Sequence, residues 1–363
     1  MQTSVPVLLY HHINEEGIPL ELFEEQLKFL KGEGYRSIGL EELALYMKEG
    51  KKNWQKTVCI TFDDGYLDNW VYACPLLKKY DFKALLFLAT WMVEEETTCS
   101  FSLQDVWQGR IKKERLCPCM PTWSIVDNYP AKTERRLCWE EVRQMNKTVF
   151  DVQSHTKRHR KIYADSKIRG FNQPRKKNSI WEIIDGDERY GTLNFLRKPE
   201  LANNRFIPDK PLNDELAKYV LNNGYVNFFK QDRWKEKLEG IVEDCRKKHG
   251  KIGRMETDEE RCKRIKNVLF IGKGEIEGEI MKRCSAFSWP WGAYDDLSIK
   301  VAQEVGFKYL FTTKPGSNSP GDDALFIKRF NVWKKDLNWF KSRIRLYSNK
   351  LRAKLYGGMY RKI

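Results

Sequence analysis

No apolar run in the chain approaches the roughly 18 residues that a membrane-spanning helix needs. Its opening, Met1-Gln2-Thr3-Ser4-Val5-Pro6, has neither the basic start nor the apolar centre of an export signal, so a cytosolic protein is expected. Cysteine is odd in number, nine in 363 residues, and scattered, which suits a reducing compartment better than a disulfide framework. Cys99, Cys117, Cys119 and Cys138 match no usual zinc spacing, so buried free thiols are expected there. Internal repeats and low-complexity tracts are absent, which excludes a solenoid and extensive disorder. Histidine is scarce, with five residues. What is abundant is apolar and basic. Hydrophobic residues make up 41% and aromatics 13%, enough to offset the ordering entropy of a large domain. Lys and Arg outnumber Asp and Glu by 65 to 50, a net charge of +15 that favours anionic partners. There is no helix-turn-helix, zinc-finger or RNA-recognition signature, so nucleic acid is not the expected partner.

Short β-branched and aromatic runs at Val5 to Tyr10, Tyr35 to Ile38, Thr57 to Phe62, Lys83 to Ala89 and Thr148 to Gln153 alternate with helix-like stretches at Leu22 to Lys31, Glu41 to Glu49 and Asn69 to Tyr80. That alternation predicts βα units around a parallel sheet, an α/β fold whose chemistry lies at the C-terminal ends of its strands. An irregular stretch from Glu94 to Leu137 has the length of a lid. Residues 161–255 read as an insertion, with a basic opening at Arg175-Lys176-Lys177, a strand at Trp181 to Ile184 and a helix from Gln231 to Lys248. The alternation resumes with helices at Asp258 to Arg283 and Leu297 to Val305 and strands at Phe287 to Trp289, Lys308 to Thr312 and Ala324 to Phe330. In the tail, 333–363, the spacing of Trp333, Leu337, Phe340, Ile344, Tyr347, Leu351 and Leu355 predicts one apolar stripe on a helix. Ten Lys or Arg against one Asp there concentrate the basic charge.

Two strand ends carry the chemistry. Thr57 to Phe62 runs into Asp63-Asp64-Gly65-Tyr66, two carboxylates at a turn. Thr148 to Gln153 runs into Ser154-His155-Thr156-Lys157-Arg158-His159, an i, i+4 histidine pair that one helical turn would bring together. Two imidazoles and one carboxylate leave open positions on a metal, the pattern of a catalytic rather than a closed zinc site. Thr156 stands where a zincin has its glutamate, so a general base must come from elsewhere, and the spare carboxylate is the candidate. His11 and His12 follow the first strand.

Thr61 to Tyr66 together with His155 to His159 resembles the first two motifs of the polysaccharide deacetylases, carbohydrate esterase family 4 or NodB-homology domain. The resemblance covers about 4–160 and 256–332, with 161–255 as an insertion. It implies a distorted (β/α) barrel of about seven strands, Asp64, His155 and His159 as ligands of a divalent metal, usually Zn2+, and Asp63 as general base. Phe287-Ser288-Trp289-Pro290-Trp291-Gly292 is similar to the third motif, in which Trp291 would give a backbone N–H to the oxyanion and, with Pro290 and Tyr66, shape the substrate groove. Ser288 stands where the commoner pattern has arginine, which leaves the holder of the base unassigned. The C-terminal leucine-x-histidine motif has no counterpart. Circularly permuted members take their acid from an N-terminal Tyr-His pair, which Leu9-Tyr10-His11-His12 resembles, so His11 is the expected acid and His12 the alternative. The family implies an N-acetylhexosamine substrate. The basic tail extends that expectation to a lipid-linked sugar or lipopolysaccharide intermediate at the inner face of the cytoplasmic membrane. A non-sugar amide hydrolase and a basic nucleic-acid-binding protein are the rival readings.

Overall fold

The computed structural model describes residues 3–50, 56–95, 98–116, 122–126, 129–133, 136–174 and 187–360. Its first half lays down β1 (Val7–Tyr10), α1 (Leu20–Gly32), β2 (Arg36–Ser37), α2 (Leu40–Glu49), β3 (Thr57–Asp64), α3 (Cys74–Lys79) and β4 (Ala84–Leu88). Then come α4 (Leu103–Trp107), the antiparallel pair β5 (Thr122–Val126) and β6 (Tyr129–Thr133), α5 (Trp139–Thr148) and β7 (Phe150–Ser154). The expected strand at Trp181 to Ile184, the basic run at 175–177, and Cys117 and Cys119 lie outside the described residues.

Between β7 and the long helix α8 stand β8 (Lys161–Phe171), β9 (Leu193–Pro199), β10 (Phe206–Pro208), α6 (Lys210–Asn222), α7 (Trp234–His249) and β11 (Gly253–Met255). β8 pairs antiparallel with β9, and β10 with β11. This segment has an apolar core of its own, including Tyr163, Phe195, Leu216, Phe228 and Leu238. Arg160, immediately ahead of β8, donates twice to Glu200, at 2.8 and 2.7 Å. The remaining elements are α8 (Asp258–Ile280), β12 (Ala286–Ser288), α9 (Asp296–Glu304), β13 (Tyr309–Phe311), β14 (Phe330–Asn331), α10 (Leu337–Tyr347) and α11 (Lys350–Tyr360).

The main sheet runs β13-β12-β7-β4-β3-β1-β14, all parallel, with β2 added beside β3. Its two edges meet where Phe311 bridges to Ile327 just ahead of β14, so the seven-strand sheet curls into the expected distorted barrel. β3 is buried along its whole length, and its side chains alternate between two layers. Val58, Ile60 and Phe62 join the large core shared with the surrounding helices, while Cys59 faces the barrel interior with Leu85, Phe87, Phe311 and Ile327.

Two expectations are corrected and one helix takes an unexpected form. The strand expected over Ala324 to Phe330 is a helical turn at Ala324–Phe326 followed by the two-residue β14, because the Asp323 carboxylate accepts the Leu325 N–H and caps the turn. The helix expected over Asn69 to Tyr80 is present, opening as a π-helix at Asn69–Ala73 that runs directly into α3. The tail is two helices broken near Ser348, not one. Phe340, Ile344 and Tyr347 are buried, with Phe340 edge-on to Phe29 of α1 at 6.2 Å and Tyr347 stacked on Phe330 at 5.0 Å. The barrel therefore covers the middle of the stripe, and Trp333, Leu351 and Leu355 stay exposed.

Candidate active site

Sheet register brings the site together before any side chain is considered. Asp64 of β3 pairs with Leu88 of β4, Leu88 with Ser154 of β7, and Ser154 with Phe287 of β12, so four strand ends form one row. Tyr10 pairs with Phe62, which sets His11 at the level of Asp63. Strand alternation sends Asp63 into the barrel mouth with Cys59 and Thr61 below it. Asp64 would face the other layer, but its φ of 75° in the left-handed region, followed by Gly65 at 88°, turns it back toward the same mouth. A Cβ at Gly65 would stand 2.3 Å from the Leu88 Cδ1.

The histidines converge by a loop and not by the helical turn expected. Thr156 and His159 both adopt positive φ, 70° and 47°, and the His159 N–H donates to the Thr156 hydroxyl at 2.8 Å. Asp64, His155 and His159 are all buried, and one potential ligand atom from each lies within 4.8 Å of the others. The His155 Nε2 is 3.4 Å and the His159 Nε2 3.5 Å from the Asp64 Oδ1. Ligands bound tetrahedrally at zinc distances of about 2.0–2.1 Å stand about 3.3 Å apart, so these separations fit. The Asp64 Oδ1 is buried without a hydrogen-bond partner, which is costly for a carboxylate unless a cation balances it. The His155 Nδ1 donates to the Ser288 carbonyl at 2.8 Å, which fixes the ring and leaves its Nε2 lone pair for a metal. This buried Asp/His/His group is suited to binding a metal.

Its electrostatics are sharply divided. Burial alone would raise the Asp64 pKa, but the neighbouring histidines outweigh it and hold the carboxylate well below its usual range. Burial pushes His159 down to about 4, keeping it neutral. Burial also opposes charge on His155, yet Asp63 and Asp64 overcome it and raise its pKa.

Asp63 is held by a residue the sequence did not point to. Arg329, fully buried and just ahead of β14, donates to both Asp63 oxygens, Nη1 to Oδ1 at 2.7 Å and Nη2 to Oδ2 at 2.8 Å. The Ser288 hydroxyl donates to the Asp63 Oδ2 at 3.0 Å and accepts from the Arg329 Nη2 at 2.7 Å. Arg329 also donates to the Thr312 carbonyl at 2.9 Å, and its guanidinium lies near the Phe87 and Phe311 rings. A guanidinium thus reaches Asp63 from the segment just ahead of β14, while position 288 contributes a hydroxyl. Burial opposes ionisation of Asp63, but Arg329 and His155 reverse that and lower its pKa. The sequence signal was faint, a Lys328-Arg329 pair between Ile327 and Phe330.

The other expected residues fall around this centre. His11 is half-buried; burial lowers its pKa, while the charges of Asp64 and Asp63 act in the opposite direction. His12 is turned away, with its Nδ1 2.8 Å from the Asp68 carboxylate and its ring stacked on Tyr66 at 3.5 Å. Tyr66 is buried by that stack and by Ala89 and Met92. Pro290 is buried and opens the turn Pro290–Gly292, in which Trp291 adopts a φ of 59°. The Trp291 ring packs 4.8 Å from His159 under the Lys161 ammonium, 4.0 Å from the ring centre, with much of its surface exposed at the mouth.

Residues 50–203 match the polysaccharide deacetylase family. That match takes in both strand-end motifs, with Asp63, Asp64, His155 and His159. Over 88 residues the chain is 42% identical to YxkH of Bacillus subtilis (strain 168), assigned by name to the polysaccharide deacetylases, a match spanning 23% of this chain and 32% of that protein. It is 41% identical over 76 residues to the poly-beta-1,6-N-acetyl-D-glucosamine N-deacetylase of Staphylococcus aureus (strain MSSA476), 20% of this chain and 25% of that one. The matches thus span a third or less of these relatives. Among solved structures, the Streptococcus pyogenes deacetylase PplD in complex with acetate aligns over 95% of this chain and 99% of its own, with TM-score 0.54 and 16% identity. IcaB from Ammonifex degensii aligns over 94% and 97%, with TM-score 0.55 and 17% identity. At these identities the likeness shows the fold alone. It extends to nearly the whole deacetylase barrel.

Proposed function

We propose that this deacetylase-family barrel hydrolyses the acetamide of an N-acetylhexosamine in a glycan, releasing acetate and leaving a free amine. The observation that carries the reading is the convergence of Asp64, His155 and His159 beside an Asp63 that is separately held by Arg329 and Ser288. Asp64, His155 and His159 would hold one divalent cation, with zinc favoured by the mixed nitrogen and oxygen donors. Bound there, it would polarise the acetyl carbonyl and lower the pKa of water.

The chain's own residues supply the rest. Asp63 takes the proton of the attacking water. Arg329 fixes both its oxygens, so the carboxylate cannot swing toward the cation. The backbone N–H of Trp291 meets the developing oxyanion, and its exposed indole, with Pro290 and Tyr66, shapes the groove for a sugar ring. His11, within the field of both carboxylates, donates a proton to the departing nitrogen, which leaves poorly as an amide anion. His12 is committed to Asp68 and is not the acid.

A finer form of the reading concerns the substrate's attachment. Trp333, Leu351 and Leu355 are exposed within the basic tail, which suits the anionic cytoplasmic leaflet and a lipid-linked sugar of lipopolysaccharide or envelope polysaccharide synthesis. Liposome co-sedimentation of the full chain against a 1–332 truncation tests it. Loss of binding on truncation is expected, and equal binding would reject the membrane role.

For the chemistry, acetate release from N-acetylglucosamine oligomers is measured together with bound metal. Asp64→Ala and His155→Ala are expected to lose both, whereas Asp63→Asn keeps the metal and loses turnover by about 10²-fold or more. Wild-type turnover in Asp63→Asn would overturn the assignment of the base.

A further inference from the structure

The described cysteines outside the site include one pair that the fold brings together from distant positions. Cys138 caps the N-terminus of α5, and Cys99 lies just ahead of α4. One carboxylate ties the two places. Glu141 accepts the Ser100 N–H at 2.6 Å and the Cys138 N–H at 2.9 Å, through different oxygens. A second tie runs from the Glu94 N–H to the Leu137 carbonyl at 2.8 Å. Cys138 acts on the charge of the Cys99 thiol, and the Gln144 Nε2 lies 3.6 Å from the Cys99 sulfur. Cys138 is buried, whereas Cys99 is partly open to solvent.

We propose that Cys99 and Cys138 form an intramolecular disulfide, closing a covalent ring whose described stem, Arg136 to Cys138, lies beside the site. The stem of that ring touches the site's own turns. Arg136 bridges to Tyr66, two residues after Asp64, and its Nη1 donates to the Trp91 carbonyl at 3.2 Å. Closing the ring therefore fixes the stem against the loops that carry the metal-binding carboxylate. The co-reactant is a small disulfide such as oxidised glutathione. The exposed Cys99 thiolate attacks one of its sulfurs and expels one glutathione thiolate. The Cys138 thiolate then attacks the Cys99 sulfur of the mixed disulfide and expels the second. Two protein thiols and one disulfide become one protein disulfide and two glutathione thiols, which take up the two protons. Burial, followed by the neighbouring thiol, pushes Cys99 up to about 12, so the exchange accelerates as pH rises.

The test uses the full-length protein and does not depend on its activity. Samples held in reduced or oxidised glutathione are alkylated, digested without reductant and mapped by mass spectrometry. In the oxidised sample, two of the nine thiols should become unreactive and one linked peptide pair, Cys99 with Cys138, should appear and separate on adding dithiothreitol. Cys99→Ser should abolish the link with an unchanged melting temperature in reductant. Full alkylation of both residues, a link from either to Cys117 or Cys119, or a reaction that stops at a glutathione adduct on Cys99 would overturn the proposal.

Discussion

At the scale of single residues, Arg329 and Asp63 decide how the site is held. Their bidentate pair is fully enclosed, so removing the guanidinium strands a buried carboxylate, at a cost of about 3–5 kcal/mol. Arg329→Met should therefore lower the unfolding free energy by that amount and reduce turnover while leaving metal content unchanged, as read by denaturant titration, acetate assay and metal analysis. Retained turnover would remove Arg329 from the account. Protons give a second handle. His155, with its pKa raised above 6.5, is protonated more readily in the metal-free fold than when unfolded, so its contribution to stability is present below pH 6.5 and fades as pH rises through the raised value. His159, lowered to about 4, has the opposite sign, and its contribution fades as pH falls from 6.5 toward 4. A cation at this group would compete with a proton for the His155 Nε2, so metal binding should be accompanied by proton release, seen as buffer-dependent heats in calorimetry. Buffer-independent heats would contradict this.

At the scale of elements, legibility followed period and failed where backbone departs from regular geometry. The alternation in β3 placed Asp63 and Asp64 at a strand end, and the register of β3, β4 and β7 carried them to His155. The meeting of His155 with His159 was legible only as a spacing, because the loop that achieves it depends on left-handed residues at Thr156 and His159 that no propensity favours. Arg329 was hidden because β14 is two residues long and pairs with β1, a partner more than 300 positions away. The tail misled for another reason. An apolar stripe does not say what covers it, and here α1 and β14 cover its middle. Phe340→Ala should thus cost about 3–5 kcal/mol, while Leu351→Ala, at an exposed position, should stay within about 0.5 kcal/mol. Equal losses in thermal denaturation would contradict the packing.

At the scale of the whole molecule, a curled parallel sheet gathers short motifs from opposite ends of the chain into one buried mouth, while the segment between β7 and α8 keeps its own core. The basic charge is concentrated in the tail, with ten Lys or Arg against one Asp over 333–363, and the proposed chemistry rests on three side chains and the carboxylate beside them. The decisive measurement is acetate released from N-acetylglucosamine oligomers by the full chain, stripped of metal by a chelator and then titrated with a divalent cation. The expected result is no release from the stripped protein and recovery complete at one ion per chain. Full activity in chelator, or recovery that persists in Asp64→Ala, would contradict the account.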